Sequence, residues 1–266
     1  MTVARDAAAG GMDVAHVHVG VITPAMQEIG SLWARDALTV AEEHLATAIS
    51  EEVLAELFPA ALRRPPASRE RVLLAGVQGE QHLLGMQMVA DVLEGAGFDV
   101  LFAGADVPAG DLVALCREHR PAVVGLGAST PATVPALLDA AEDLWALDDP
   151  PRLMGGGAAV GALAGAGLDI AVVPSSDQAV AVVERLMREP AQGPPVTPRL
   201  RRRIPRETLG AGARTPGAEM AMPWTENVAD AAEAVRAGRF LAAVTGTSTQ
   251  EARAAAREAH RRRHES

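Results

Sequence analysis

One histidine in this chain occupies a loop where its imidazole could meet a metal. His82 lies in Gly79-Glu80-Gln81-His82-Leu83-Leu84-Gly85, between an apolar run at 72–77 and a segment with helical spacing from Gly85 onward. A buried parallel strand followed by a helix puts this loop at the carboxyl end of the strand, where open α/β sheets bind ligands. On its own, a loop histidine is more often a surface or turn residue than a metal ligand, so other residues must decide between the two interpretations.

Two glycine-containing segments follow later apolar runs. Gly125-Leu126-Gly127-Ala128-Ser129-Thr130 follows the third predicted strand, and Gly155-Gly156-Gly157 follows the fourth. Glycine lets a bulky ligand approach the backbone because no Cβ stands in the way. Either segment alone also fits a tight turn between strand and helix. No G-x-G-x-x-G pattern opens the first helix of this region, which argues against a nicotinamide dinucleotide site.

The order of predicted elements indicates a helical segment followed by a parallel α/β sheet. Residues 14–62 have helical spacing, with Pro24 suited to a first helical turn and a capping-box pattern at Thr39-Val40-Ala41-Glu42. A proline-rich linker covers 63–68. Strands then alternate with helices, the pattern of a parallel sheet. The predicted strands are 72–77, 99–102, 122–126, 152–154 and 170–173.

Composition excludes several classes of protein. The chain has 266 residues, of which 48% are hydrophobic, and a net charge of -10. This acidity works against non-specific nucleic-acid binding. The single cysteine, Cys116, cannot form an internal disulfide and fits a reducing compartment. We find no apolar run long enough to span a membrane and no signal-peptide pattern, so the sequence predicts a cytoplasmic protein without membrane contact.

The sheet motifs carry a family resemblance. Glu80-Gln81-His82-Leu83-Leu84-Gly85 resembles the D/E-x-H-x-x-G motif of cobalamin-binding domains, with Gly127-Ala128-Ser129 at the family's S-x-L position and Gly155-Gly156 at its paired glycines. The resemblance implies that His82 is the lower axial ligand of cobalt, oriented by Glu80, and that the nucleotide tail of the corrinoid enters the sheet. Because Gly127 stands where the family usually has serine, Ser129 or Thr130 is the candidate donor to the tail. The implied cofactor-binding residues of this region are Glu80, Gln81, His82, Gly85, Gly127, Ser129, Thr130, Gly155, Gly156 and Gly157.

The helical segment makes the resemblance more specific. Trp33, nine intervening residues and then Glu43-His44 resemble the W-x9-E-H motif of adenosylcobalamin photoreceptors of the CarH and LitR type. The resemblance implies that Trp33 packs against the upper-face adenosyl group, that Glu43 contacts it, and that His44 can reach the upper face of cobalt after illumination. Taken singly, Trp33 fits a core anchor and His44 a polar helix residue.

The resemblance also predicts the domain organisation. We expect a helical bundle segment at 1–64 covering the upper face of the cofactor, and a Rossmann-like (flavodoxin-like) cobalamin-binding domain at 71–189. A linker rich in proline, glycine and arginine follows at 190–223. The helices predicted in 224–266 resemble the family's opening bundle helices. They suggest a circular permutation, in which the tail completes the bundle within one chain or by exchange between subunits. An unrelated dimerisation helix or a disordered tail is the alternative.

These features favour a cobalamin-binding regulator over an enzyme. The favoured function is a light or cofactor sensor, of the kind used in transcription regulation, that binds adenosylcobalamin and acts through self-association or a protein partner. No DNA-reading element is recognisable, so direct DNA binding is not expected. The first alternative is a corrinoid carrier of methyl groups, loaded with methylcobalamin and serving methyltransferases. A cobalamin-binding module of a larger catalytic assembly is the second, although we identify no arrangement of nucleophile and base.

Overall fold

The computed structural model describes residues 14–61, 69–161 and 168–189. The described residues fall into two compact units, a helical unit within 14–61 and a sheet unit within 69–189. The predicted linkers at 63–68 and 190–223 fall outside the described residues or at their margins. The predicted tail helices at 224–266 lie outside them entirely. The proposed permutation therefore stays a prediction.

The helical unit consists of α1 (Val14–Val17), a π-helical turn (His18–Ile22), α2 (Thr23–Ala34) and α3 (Val40–Ala61). The π-helical turn joins α1 to α2 without a break, since Ile22 and Thr23 keep helical dihedrals. Pro24 follows immediately and cannot donate a backbone hydrogen bond. A π-helical turn directly before a proline is one of the usual ways in which a helix accommodates the missing hydrogen bond. Pro24 therefore lies inside a longer helix, where the sequence predicted a first turn.

The start of α3 confirms the capping box predicted at residues 39–42. The Thr39 backbone N–H donates to Glu42 Oε2 at 2.8 Å, and the Glu42 N–H donates back to Thr39 Oγ1 at 3.3 Å. These reciprocal bonds satisfy two donors that a helix start leaves unpaired. Ile29 and Leu32 of α2 pack with Leu38 of the turn and with Ala46 of α3.

The sheet unit contains five parallel strands in the order β2-β1-β3-β4-β5. This is the predicted flavodoxin-like arrangement, in which β2 lies on one side of β1 and β3 lies on the other. All five predicted strands are present. Their bounds are β1 (Arg71–Val77), β2 (Asp99–Val107), β3 (Val123–Gly127), β4 (Arg152–Gly156) and β5 (Ile170–Val172). The helices are α4 (Leu84–Gly95), α5 (Ala109–His119), α6 (Val134–Trp145), α7 (Ala158–Gly161) and α8 (Ala179–Arg188), and short 3-10 turns cover Pro131–Thr133 and Ser176–Gln178.

Helices cover both faces of the sheet, which explains the continuous apolar runs of its central strands. One face packs on α5 and α6, with Leu73 and Leu126 among its buried residues. The other face packs on α4 and α8, with Leu74, Val123 and Met154 in its core. We call this second surface the α4/α8 face. Across the described residues, no helix is both long and apolar enough to cross a lipid bilayer.

Strand β2 extends to Val107, beyond the predicted end at residue 102. Its pairing with β1 shifts register twice near its carboxyl end. Gly104 and Asp106 have positive φ angles of 89° and 53° there. A positive φ is uncommon outside glycine, although aspartate tolerates it better than most residues. The irregular end of β2 places Asp106 beside the loop that follows β1.

Candidate functional site

The loop after β1 lies where the strand order of the sheet reverses, the position at which folds of this topology bind ligands. Gly79 has a φ of 85°, and the Glu80 N–H donates to the Val77 carbonyl at 2.8 Å, so the chain turns tightly as soon as β1 ends. The Asp106 carboxylate accepts from the Gly79 N–H at 2.7 Å, and the Asp106 N–H donates to the Glu80 carbonyl at 3.0 Å. Asp106 therefore holds the loop through hydrogen bonds to both Gly79 and Glu80.

Glu80 is the buried centre of this site, with 1% of its surface exposed. Its Oε1 accepts from the His82 backbone N–H at 2.7 Å and lies 2.6 Å from His82 Nδ1. Its Oε2 accepts a short hydrogen bond from the Ser129 N–H and lies 3.5 Å from Thr133 Oγ1. Ser129 follows β3, so a single carboxylate joins the loops at the carboxyl ends of the two central strands.

The hydrogen bonds keep the Glu80 carboxyl in its charged form. Burial by itself raises the pKa of this carboxyl. The side-chain and backbone hydrogen bonds from His82, the backbone bond from Ser129 and the charge interaction with His82 act in the opposite direction and outweigh burial. The pKa of Glu80 is therefore lowered from its ordinary value. An ionised carboxylate only accepts hydrogen bonds, which fits the donors that surround both of its oxygens.

His82 presents its ring to the outside of the loop, with 64% of the side chain exposed. Because Nδ1 faces Glu80, Nε2 is the ring nitrogen that can coordinate a metal. A carboxylate at Nδ1 fixes the tautomer and orientation of a ligating imidazole. Such a site supplies one ligand, which suits a metal that brings its own equatorial nitrogens, as a corrin does. Across the described ranges, no three His, Cys, Asp or Glu side chains gather around a common metal position.

Sequence reasoning missed two side chains of this site, those of Asp106 and Thr133. Each is distant from Glu80 along the chain and reaches the loop only through the strand order of the sheet. The signal for Asp106 was its position two residues after Gly104, at the end of a strand, where aspartate commonly bonds to a nearby turn. Thr133 gave no signal of its own.

Comparison with known proteins agrees with this geometry. A family model described as "B12 binding domain" matches residues 70–184, and a second with the same description matches 2–57. Dimethylamine corrinoid protein 3 of Methanosarcina mazei is 30% identical over 139 residues, which cover 50% of this chain and 81% of that protein. The chain belongs to the B12-binding domain family.

Two further relatives place this B12-binding protein among its neighbours. The HTH-type transcriptional repressor CarA of Myxococcus xanthus is 35% identical over 115 residues, which cover 43% of this chain and 38% of the length of that repressor. The structure of the Methanosarcina barkeri monomethylamine corrinoid protein superimposes with a TM-score of 0.58 at 19% identity. It covers 69% of this chain and 89% of that chain, and it supports the fold.

The glycines of the B12-binding domain differ in the space around them. A Cβ added at Gly85 or Gly156 would meet no atom within 4 Å, so both positions leave room for a ligand. At Gly155 a Cβ would lie 2.8 Å from the Val160 side chain, and at Gly157 it would lie 2.4 Å from the Ala128 carbonyl oxygen. Packing within the protein therefore accounts for glycine at 155 and 157, and their contact with a cofactor stays a prediction.

The remaining residues predicted around β1 and β3 lie at the same edge of the sheet. Gln81 is exposed beside His82. Ser129 and Thr130 are half-buried. The backbone N–H of Ser129 bonds Glu80, and the Thr130 carbonyl accepts from the Thr133 hydroxyl at 2.9 Å. Whether the hydroxyls of Ser129 and Thr130 reach a corrinoid tail stays a prediction.

The helical unit of the B12-binding protein carries the three remaining predicted residues. Trp33 lies near the end of α2 and is 48% exposed, which contradicts the alternative that it anchors a core. Glu43 and His44 lie in the first turns of α3. Glu43 Oε1 accepts from the Thr47 hydroxyl at 2.9 Å, and Glu43 Oε2 lies 3.6 Å from His44 Nε2. The His44 side chain is largely exposed.

Proposed function

We propose that this chain senses light through bound adenosylcobalamin and transmits the signal by self-association or through a protein partner. The observation that carries the proposal is the exposure of Trp33 in the motif that it forms with Glu43 and His44. Trp33 is about half exposed to solvent. An exposed indole indicates a binding surface more strongly than an exposed hydroxyl or charged group does. The similarity to a transcriptional repressor supports a regulatory output.

Five of the predicted site residues have a defined part in this proposal. His82 ligates cobalt from the lower face through Nε2, and Glu80 positions it. Trp33 and Glu43 contact the upper ligand, and His44 takes a cobalt position after light has acted. When bound, adenosylcobalamin supplies a cobalt–carbon bond that light can break. A ligand shifts a protein between two states only if it contacts them differently, so contacts from Trp33 would make the helical unit sensitive to loss of the adenosyl group.

A corrinoid methyl carrier is the second candidate function. The observation that favours it is the match to dimethylamine corrinoid protein 3, of which this chain covers 81%. In this case the bound cofactor would be methylcobalamin and the partner a methyltransferase. His82 and Glu80 would keep the same parts, whereas His44 would have no defined role.

Spectroscopy of the loaded protein distinguishes the two functions. Protein loaded with adenosylcobalamin in the dark should change its absorption spectrum and its elution volume in size-exclusion chromatography after illumination. Protein loaded with hydroxocobalamin, which has no cobalt–carbon bond, is the control and should show neither change. If the spectrum changes but the elution volume does not, a partner would have to carry the signal. Unchanged spectra in the adenosylcobalamin sample would contradict the sensor and favour the methyl carrier.

A further inference from the structure

Ser176 carries a buried hydroxyl that forms no hydrogen bond with any described residue. It begins the short 3-10 turn before α8, and 7% of its surface is exposed. Within the part of the chain that the structure describes, its Oγ has no hydrogen-bond partner. Burying a hydroxyl without a partner costs free energy, and most buried polar groups in folded proteins are paired. Such an atom fits a site that a ligand completes.

The surroundings of Ser176 belong to the α4/α8 face of the sheet. Val173 and Ala179 flank the serine in sequence, and both lie in the buried cluster of that face. The 3-10 turn that contains Ser176 packs against α4, the helix that begins just after His82. The hydroxyl therefore lies on the same side of the sheet as α4, the helix that follows the loop of His82.

The same face lacks side chains at the carboxyl ends of the central strands. Gly76 of β1 pairs in register with Gly127 of β3, and Gly127 pairs with Gly156 of β4. These three residues form a row that we call the glycine row. A Cβ at Gly125 would meet Leu74 and Met154 of the α4/α8 face, and Gly127 lies two residues further along the strand, on the same face. The row offers no side-chain hydrogen-bond donor to a ligand.

Met86 of α4 occupies the space above the centre of the glycine row. A Cβ added at Gly127 would lie 2.4 Å from Met86 Cε. The terminal methyl group of Met86 therefore occupies the space that the side chain of a serine at position 127 would need. A methionine has three rotatable bonds and can leave such a position at low cost. An apolar group thus replaces the hydroxyl at this point of the sheet.

We propose that Ser176 donates or accepts the hydrogen bond to the nucleotide tail of a bound corrinoid that residue 127 cannot make, and that Met86 swings off the glycine row when the tail enters. The inference rests on corrinoid binding by this chain and assigns a tail contact to the start of α8. It competes with the assignment of that contact to Ser129 or Thr130 in the β3 loop.

Two corrinoids separate the tail contact from the rest of the site. Aquocobalamin carries the nucleotide tail, whereas aquocobinamide lacks it. Ser176→Ala should weaken binding of aquocobalamin about tenfold, the value of one good hydrogen bond, and leave binding of aquocobinamide unchanged. The unloaded variant should unfold at the same temperature as the parent or higher, because the removed hydroxyl has no partner there. Ser175→Ala is the matched control, since the Ser175 hydroxyl already bonds Asp177.

Four results would overturn the inference. Equal losses for both corrinoids would show that Ser176 does not contact the tail. Unchanged binding by Ser176→Ala, with a cobalamin-specific loss in Ser129→Ala or Thr130→Ala, would assign the contact to the β3 loop. A lower unfolding temperature of the unloaded Ser176→Ala variant would show a structural role. If the parent protein bound neither corrinoid, corrinoid binding itself would be refuted, and the inference with it.

Discussion

The Glu80 carboxylate contacts His82 twice, at the backbone N–H (2.7 Å) and at ring Nδ1 (2.6 Å), through the same oxygen. One oxygen thus fixes both the backbone and the ring of a residue two positions along the chain. The other oxygen bonds the loop after β3. The orientation of the His82 imidazole therefore depends on a buried group that itself depends on the packing of two strands.

Replacing His82 should remove the protein ligand of cobalt. We expect His82→Ala to bind cobalamin at least tenfold more weakly and to lose any spectral sign of histidine ligation, because no imidazole then stands in the loop. Absorption spectra during titration measure both effects. His119→Ala, on α5 and away from this loop, should bind as the parent does. A histidine-ligated spectrum in His82→Ala would contradict the assignment.

Replacing Glu80 by glutamine should destabilise the sheet unit even without cofactor. Donors face both carboxylate oxygens, so an amide NH2 must point at a donor whichever way it is turned. We expect a loss of about 2–3 kcal/mol in the free energy of unfolding, measured with urea. The control, Glu118→Gln, changes a carboxylate that is 74% exposed and should stay within about 0.5 kcal/mol of the parent. Equal stability of the two variants would show that the contacts around Glu80 contribute little.

The His44 prediction concerns the state after illumination. Illuminated protein with bound adenosylcobalamin should show a spectrum typical of two histidine ligands. His44→Ala should give a water-ligated product or release the cofactor, because α3 then has no imidazole at position 44 to bind cobalt. His16→Ala, also in the helical unit, is the control and should behave as the parent. If illuminated His44→Ala kept a two-histidine spectrum, another residue would be the upper ligand.

The permutation prediction concerns residues outside the described ranges. If the helices predicted in 224–266 complete the bundle, deleting Trp224 to Ser266 should expose apolar surface of the helical unit and reduce solubility or cofactor retention. Sedimentation and cofactor release after gel filtration measure these effects. A deletion variant that stays as soluble and retains cobalamin as well as the full chain would show that the tail is an accessory.

Cys116 offers a pH-dependent test of the sheet unit. It lies on α5 and faces the buried core, and burial raises the pKa of its thiol from 9.0 to about 11. The native state thus favours the neutral thiol, and the resulting stability is complete below pH 9 and lost as the pH rises towards 11. At pH 8 a disulfide reagent should modify Cys116 at least ~100-fold more slowly in native than in urea-unfolded protein. Rapid reaction of the native protein would contradict this burial.

Local patterns predicted the elements of this fold and one half of the site. The five apolar runs became the five strands, and residues 39–42 formed their capping box, because both depend on neighbours within a few positions. The pairing of Glu80 with His82 was equally local. The end of β2 was predicted too early, because the register shifts that carry it to Val107 arise from its partner strand.

The other half of the site depends on contacts that join distant parts of the chain. Asp106 and Thr133 reach Glu80 and its loop only because β1 lies between β2 and β3. The overlap of Met86 with the space above Gly127 requires the position of α4 on the sheet. Sequence could show that Gly127 replaces a serine, but only packing shows what occupies the vacated space.

The turn between α2 and α3 fixes the distance between Trp33 and His44. Leu38 is buried in this turn, Asp36 has a φ of 59°, and the Ala37 N–H donates to the Leu32 carbonyl at 2.9 Å. A residue added inside the turn would displace Leu38. One added between the Thr39 cap and His44 would rotate the imidazole by about 100° around the helix axis. The nine residues between Trp33 and Glu43 therefore fix the relative positions of Trp33, Glu43 and His44. A chain with these three residues at another spacing would place them differently.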